Sequence, residues 1–378
     1  MSRILVLTPF PPPSDGIGSH SRNLVEAWVR QGHNVLVMCQ GPGGKTERHE
    51  GYDVARLLGV FGFRRARSLA NTFCPDFVFC QFAISALTTS TPTVLKLCRS
   101  MRREGIFVAM AFHEPGREIA ILGPLGNWVY RRAVRSCNVP ITFSGVATAA
   151  LDHMIESPNV FSGSPGFPEY EPSTHADIER VRQVYGFPKP FVFYFGFIHP
   201  DKGVDTLMSA IPYVTQRYEG DLDVVIAGRP RPRSSAFKFF GLRDHYHYRQ
   251  IRSLAVDSPP QTRIIFSDYV PYEDLGHLLA AAAVVVLPYR RTAQSGVATH
   301  VLAAGSPAVV TDIPGLREIF KDAAIYAQVE NPADLARAIT DVLKDPQLQS
   351  DLKLRARTRA ASEGYDKVAR DIFEIMLR

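Results

Sequence analysis

Short apolar runs alternate with amphipathic stretches from one end of the chain to the other. In the first half RILVLTP, NVLVMCQ, FVFCQF, FVAMAFH and VPITFSG are rich in β-branched and aromatic residues and read as buried strands. Between the first two, SHSRNLVEAWVRQG carries an apolar stripe of Leu24, Val25 and Trp28 that stops at Gly32, which predicts a helix. FSGSPGFPEYEPSTH, dense in Gly, Pro and Ser, reads as a linker. A second series follows it: strands FVFYFGF, DVVIAG, TRIIFSDYV, AVVVLPY and PAVVTD, with helices GVDTLMSAIPYVTQRY, YEDLGHLLAAA and the segment after Ser295 among them. GYDKVARDIFEIMLR ends the chain as an amphipathic helix with no strand behind it. Alternation of this kind specifies an α/β fold with parallel sheets, here in two Rossmann-like halves. The expected divisions are 1–170, 171–362 and a last helix over 363–378. Ligands are expected in the cleft left by the strand C-termini of two such units.

A length of 378 residues agrees with two domains, and a chain 46% hydrophobic and 21% charged can bury cores and is not disordered. No apolar run reaches the roughly 20 residues that a membrane span needs. MSRILVLTPFPPPSDG has no small-residue cleavage site and reads as a first strand, not a signal peptide. Five cysteines (Cys39, Cys74, Cys80, Cys98, Cys137), an odd number without a CxxC pair, fit reduced thiols and a cytoplasmic location. The net charge of +6 is uneven: residues 1–170 hold 17 Lys and Arg against 12 Asp and Glu, whereas 171–378 hold 26 against 25. Arg64, Arg65 and Arg67, then Arg99, Arg102 and Arg103, then Arg131, Arg132 and Arg135 form three basic clusters beside apolar residues. They are either solvated helix faces or a surface that rests on anionic lipid at the inner face of the membrane. No aromatic stacking platform accompanies them, which disfavours nucleic acid.

Five places offer chemistry. In TPFPPPSDGIGSHSRN, Gly16 and Gly18 open a helix after a Pro-rich turn; glycines admit a ligand close to the backbone, and a helix start favours an anion. The spacing is not GxGxxG, so dinucleotide binding is disfavoured. In FGFIHPDKGVDTL, Lys202 is a point charge beside a helix start, suited to a departing diphosphate. In VVIAGRPRP, Gly228 followed by Arg229 leaves room for a planar base or a ribose at a strand end. In LPYRRTAQSGVATHVLAAG, Ser295, Gly296 and Val297 offer amides and a hydroxyl to a phosphate, with Thr292 and Gln294 as neutral partners. In AMAFHEPGREI, His113 ends a strand at the cleft edge, where an imidazole suits acid–base or sugar-hydroxyl contacts. Each of these also has an ordinary structural reading as a turn, a cap or a strand end. Asp221 with Asp223, and His245 with His247 in a polar insertion, lack metal-ligand partners; no metal site is expected.

Taken in order, the Pro-Pro-Pro…Gly-Ile-Gly turn, RQGHNVLVM, GFIHPDKGVDTL, VVIAG, VPYEDLGHLLAAAAVVVLPY and VLAAGSPAVVTDIPGLREI resemble the GT-B glycosyltransferases, specifically the large retaining family numbered four. The resemblance covers nearly the whole chain. It implies two facing Rossmann-like domains, the first for the acceptor and the second for the donor, with the last helix returning to the first. It implies a nucleoside-diphosphate sugar as donor, a glycan or lipid-linked acceptor, retained anomeric configuration, and no required metal or other cofactor. By the match, His113 and Lys202 are the catalytic candidates, Lys202 on the donor diphosphate and His113 facing the transferred sugar. Gly16 and Gly196 would lie near the diphosphate, and Ser295, Gly296 and Val297 would bind phosphate. Two departures stand out. Thr292 and His300 align with a pair of glutamates eight positions apart, and Phe197 replaces an arginine, with His199 as an alternative basic position. Ribose and sugar hydroxyls are then expected to fall to Arg290, Arg291, Thr292 or Gln294. Without the glutamates, a catalytically impaired sugar-nucleotide-binding or scaffold protein is the alternative. A GT-B epimerase would need cleft carboxylates, of which no clear set is present.

Overall fold

Ile4, Leu5, Val6 and Leu7 are wholly buried in β1 (Arg3–Leu7), because helices cover both faces of the sheet that this strand centres. The structure, a computed structural model, describes all residues except 12–15, 42–45, 156–159, 231–237, 257–258, 260, 268–269 and 378. Most of the Pro-rich turn and much of the polar insertion therefore lie outside the described residues. The chain divides into two units, Met1–Gly166 with Glu363–Arg378, and Phe167–Ser362. The division falls at 166/167 and not at 170/171, because Phe167 is buried in the core of the second unit, under the guanidinium of Arg359.

In the first unit the strands are β1, β2 (Asn34–Gln40), β3 (Thr46–His49), β4 (Tyr52–Leu58), β5 (Phe77–Phe82), β6 (Phe107–Phe112), β7 (Val139–Thr142) and β8 (Phe161–Ser162), in the order β3-β4-β2-β1-β5-β6-β7-β8. Leu5 of β1 pairs with Leu36 of β2 and with Val78 of β5, and all neighbours are parallel except β3 with β4. Sequence periodicity misses β3, β4 and β8. β3 (TERH) is a polar edge strand, β8 has two residues, and β4 carries Arg56, whose buried guanidinium is neutralised by Glu47 at 2.7 and 3.1 Å.

Helices Phe63–Phe73, Thr91–Arg103 and Pro124–Val134 bury Ala66 and Ala70, Val94 and Leu97, and Tyr130 and Ala133 in one core on one side of this sheet. The three arginine clusters belong to these helices or directly follow them, so they share a face. Beside them Phe61, Leu125 and Trp128 are exposed, and Arg132 lies 5.6 Å from the Trp128 ring. On the opposite side, helix Gly16–Arg30 packs with helix Tyr365–Leu377 over a core of Leu24, Trp28, Val368 and Ile372. Trp28 Nε1 donates to the carbonyl of Ala369 at 2.9 Å, and Arg30 pairs with Asp366 at 2.6 Å. The last sixteen residues thus belong to the first unit.

The second unit contains β9 (Phe191–Phe195), β10 (Leu222–Ala227), β11 (Thr262–Ser267), β12 (Val284–Leu287), β13 (Ala308–Thr311) and β14 (Ile325–Ala327), all parallel, in the order β11-β10-β9-β12-β13-β14. This is the doubly wound order, and the chain reverses direction across the sheet between β9 and β12. Among the described residues no helix is long and apolar enough to cross a membrane. Because Trp28 is wholly buried and ties the last helix down, Trp28→Ala is expected to lower the stability of the first unit by about 3–5 kcal/mol. Urea unfolding followed by circular dichroism measures it; a change within the noise of the midpoint would contradict this packing.

Candidate functional site

The C-terminal ends of β9 and β12 are where a doubly wound sheet leaves a crevice, and the chain there is built for close approach. Gly203 has φ +61°, and a β-carbon on it would lie 1.9 Å from the carbonyl oxygen of Pro288, so only glycine fits. This seats the turn Pro200–Lys202 against the end of β12, with the Lys202 ammonium 3.5 Å from the centroid of buried Tyr289. Gly196, at φ +127°, ends β9 beside Val297: an added β-carbon would come within 3.0 Å of Val297 Cγ2. Gly228 in turn lies under the carbonyl of Gly196, at 2.0 Å from where its β-carbon would be. Lys202, Gly196, Gly228 and Val297 are therefore gathered at one end of one sheet.

Helix Gly296–Ala303 starts at this place. Ser295 is its N-cap, its Oγ accepting from the amide of Ala298 at 3.2 Å. The first amides, Gly296 and Val297, have no intrahelical acceptor by the geometry of any helix start. With the dipole they present a partial positive charge next to a lysine. Thr292 Oγ1 donates to the carbonyl of Gln294 at 2.6 Å, which folds the loop before the helix back on itself.

The Arg290 guanidinium donates to Asp205 at 2.7 and 3.0 Å, to Glu330 at 2.6 Å and to the carbonyl of Pro200 at 2.5 Å. It joins the turn Pro200–Lys202, the first turn of helix Val204–Arg217 and the loop at Glu330, and it lines a cavity there with Arg291. Arg291 is similarly paired with Asp201 at 2.8 Å. Arg229 is exposed, and its carbonyl accepts from Ile198 at 2.9 Å. His199 is buried, with Nδ1 3.9 Å from Asp201. His300, in the place of the second glutamate, bonds to the hydroxyl of Tyr170 at 2.6 Å, and burial pushes its pKa down to about 4. It is a neutral group at neutral pH.

In the first unit, Gly16 opens helix Gly16–Arg30 with nothing within 4 Å of where a β-carbon would be, while Gly18 is buried. His113, just past β6, is buried, and its Nε2 meets the Oε1 of Gln81 from β5. His20 stands edge-on to His113, ring centroids 5.7 Å apart, and its Nδ1 meets the hydroxyl of Tyr365 at 3.2 Å. Burial, then the nearby charge of His113, holds His20 down at about 3, against a smaller upward pull from the Pro165 carbonyl. Gln81 Nε2 is buried with no hydrogen-bond partner among the described residues, at a cost of about 1–3 kcal/mol. Gln81, His20 and Tyr365 were missed from the sequence. The one visible signal was a glutamine inside the apolar run FVFCQF.

The sequence profile described as "Glycosyl transferases group 1" matches residues 177–359, and that described as "Glycosyltransferase Family 4" matches residues 14–159. The chain belongs to the family 4 glycosyltransferases. Similar curated proteins are the alpha-D-kanosaminyltransferase of Streptomyces kanamyceticus, 23% identical over 61% of this chain and 57% of that protein, and the mannosylfructose-phosphate synthase of Agrobacterium fabrum, 26% identical over 60% and 50%. The chain thus spans about half the length of the curated relatives it matches. Among solved structures, the sucrose-phosphate synthase of Thermosynechococcus elongatus superposes with a TM-score of 0.77 at 18% identity, covering 99% of this chain and 98% of that one. Anabaena HepE, in complex with UDP and glucose, gives 0.75 at 14%, covering 100% and 99%. These neighbours establish the fold of the family 4 chain as GT-B.

His20 and His300, the histidines most deeply buried among those whose pKa is depressed, make stability depend on pH in a stated direction. Unfolded, each takes up a proton near its ordinary value of 6.5; folded, His300 stays neutral down to about 4 and His20 to about 3. Between about 4 and 6.5 the unfolded chain binds more protons, so stability rises with pH and is lost as pH falls, by up to about 1.4 kcal/mol per pH unit for each group. His300→Gln is expected to flatten that slope by about one proton's worth. Urea midpoints at pH 4.5, 5.5 and 6.5 read it, and an unaltered slope would contradict the burial of a neutral imidazole.

Proposed function

We propose that the protein transfers a hexosyl group from a nucleoside-diphosphate sugar to a glycan or lipid-linked acceptor, with retention of anomeric configuration. The observation that carries this reading is the gathering of Lys202, the Gly196 backbone and the start of helix Gly296–Ala303 at the reversal point of the second sheet. A fixed ammonium and unpaired helix amides hold two phosphates and take up the charge that grows on the leaving diphosphate as the glycosidic bond breaks. Such contacts raise turnover because they strengthen towards the transition state. Within the first unit, Gly16, with open space beside it, suits the close approach of an anion to the backbone, and His113 suits a sugar hydroxyl. Anabaena HepE with UDP and glucose, and relatives named for transferring sugars, support the donor class. No metal or other cofactor is needed in this scheme.

Neutral His300 and Thr292 held by the Gln294 carbonyl, at the positions where the family resemblance leads one to expect glutamates, favour one second reading: a protein that binds a sugar nucleotide without turning it over. Release of nucleoside diphosphate with formation of a glycoside separates the two.

The arginine clusters on one helical face, with Phe61, Leu125 and Trp128 exposed beside them, support attachment to anionic lipid at the cytoplasmic face of a membrane. No nucleic-acid partner is proposed.

Lys202→Ala is expected to lower kcat by about 10²–10³, the usual cost of one charge-stabilising donor, with folding intact by circular dichroism. Near-normal turnover would sink the assignment, and full activity in excess EDTA is expected. Replacing Arg99, Arg102 and Arg103 together by Ala should weaken sedimentation with phosphatidylserine vesicles by about a hundredfold at low salt, at about 1 kcal/mol per arginine. Equal pelleting of variant and wild type would remove the lipid from the scheme.

A further inference from the structure

Gln81 lies wholly buried in β5, in a run whose other residues are apolar. A glutamine in such a place is a poor core filler: its Oε1 has His113 Nε2 as partner, but its own Nε2 has none among the described residues. What the side chain does provide is information. A carboxamide oxygen only accepts, so the imidazole nitrogen that meets it must carry the proton. With Oε1 as its partner, His113 carries a proton on Nε2. The ring is walled on other sides by Phe143 at 5.5 Å and by the edge of His20 at 5.7 Å. His20 is itself held by Tyr365, the first residue of the last helix. Among the described residues the titratable groups in this cluster include His20 and Tyr365, with Glu114 next in the chain and paired to Arg117 at 3.0 Å.

We propose that Gln81 is a positioning residue that fixes His113 in a single tautomer and orientation toward the substrate. The substrate part of this statement rests on the proposed glycosyl transfer; the tautomer part does not. A Gln81 that only filled space would be replaced by leucine with no loss, and with some gain in stability from removing an unpaired amide. A Gln81 that positions His113 separates stability from turnover.

The test compares wild type, Gln81→Leu and Gln81→Glu. Gln81→Leu is expected to keep or raise the melting temperature and to leave the dissociation constant for the nucleoside diphosphate unchanged. It should lower kcat by about tenfold to a hundredfold, the scale of a misplaced reacting group. Gln81→Glu keeps an acceptor for Nε2–H, so it should retain most of kcat. Its carboxylate favours the imidazolium and moves the histidine limb of the rate profile to higher pH. Long-range ¹H–¹⁵N spectra of the histidine rings read the tautomer without any substrate: Nε2–H in wild type, a mixture in Gln81→Leu. A wild-type spectrum of the Nδ1–H form, or a leucine variant with unaltered spectrum and kcat, overturns the proposal. A wild type that binds no nucleoside diphosphate and transfers no sugar, yet shows the Nε2–H spectrum, overturns the functional reading and leaves the tautomer assignment standing.

Discussion

The turn that carries Lys202 is pressed onto the end of β12 until the carbonyl of Pro288 fills the space that a side chain on residue 203 would need. Much of the local arrangement follows from this contact. A left-handed glycine ends the turn and starts helix Val204–Arg217, so lysine and helix start cannot move apart. Arg290, two residues past Pro288, reaches Asp205 in the first turn of that same helix and locks the two connections together. Burial alone would raise the Asp205 carboxyl; the bonds and charge of Arg290 outweigh it and hold it below its ordinary value. The ion pair is partly buried and bonded at both carboxylate oxygens, the setting in which breaking one partner is costly. Arg290 is thus a charge used for shape, and Lys202 is a charge placed by that shape.

How much of this was legible in the sequence depends on the range of the interaction. Strands buried on both faces announce themselves, and β2 spans the run NVLVMCQ from end to end. Polar or very short strands do not: TERH pairs at an edge because β4 offers it a partner, which no local pattern reveals. The glycines of the site were visible as glycines, but their reason was not. Gly203 is required by a carbonyl 85 positions away, and Gly228 by the backbone of Gly196 on the neighbouring strand. The structural partners of Arg290 were hidden for the same cause: Asp205 and Glu330 are distant in the chain and close in space. Gln81 and His20 depend on neighbours from four different elements, so only the oddity of a polar residue in an apolar strand pointed to them.

Both units place polar chemistry at the C-terminal ends of their strands, but with different electrostatics. The second collects a lysine and a helix start, both positive. The first collects buried rings, and His20 at least is kept neutral by the cost of burying a charge. A neutral imidazole offers one donor and one acceptor without attracting an anion. Under the proposed reading this suits recognition of hydroxyls, whose bonds must be made and released in every turnover.

The loss of the two family carboxylates fits the same division. A glutamate just ahead of helix Gly296–Ala303 would oppose an anion that the helix start favours; Thr292 there is neutral, whereas His300 lies in the last turn of the helix. The change also removes strong acceptors for ribose and sugar hydroxyls, since bonds to an ionised group are roughly twice as strong as bonds between neutral ones. Affinity in such a site shifts from hydroxyls to phosphates, which all sugar nucleotides share. Discrimination among sugars must then come from the shape of the pocket and from fixed neutral groups. A neutral group discriminates only if it presents one donor or one acceptor in one direction, which under the proposed reading gives value to a contact such as that of Gln81 with His113.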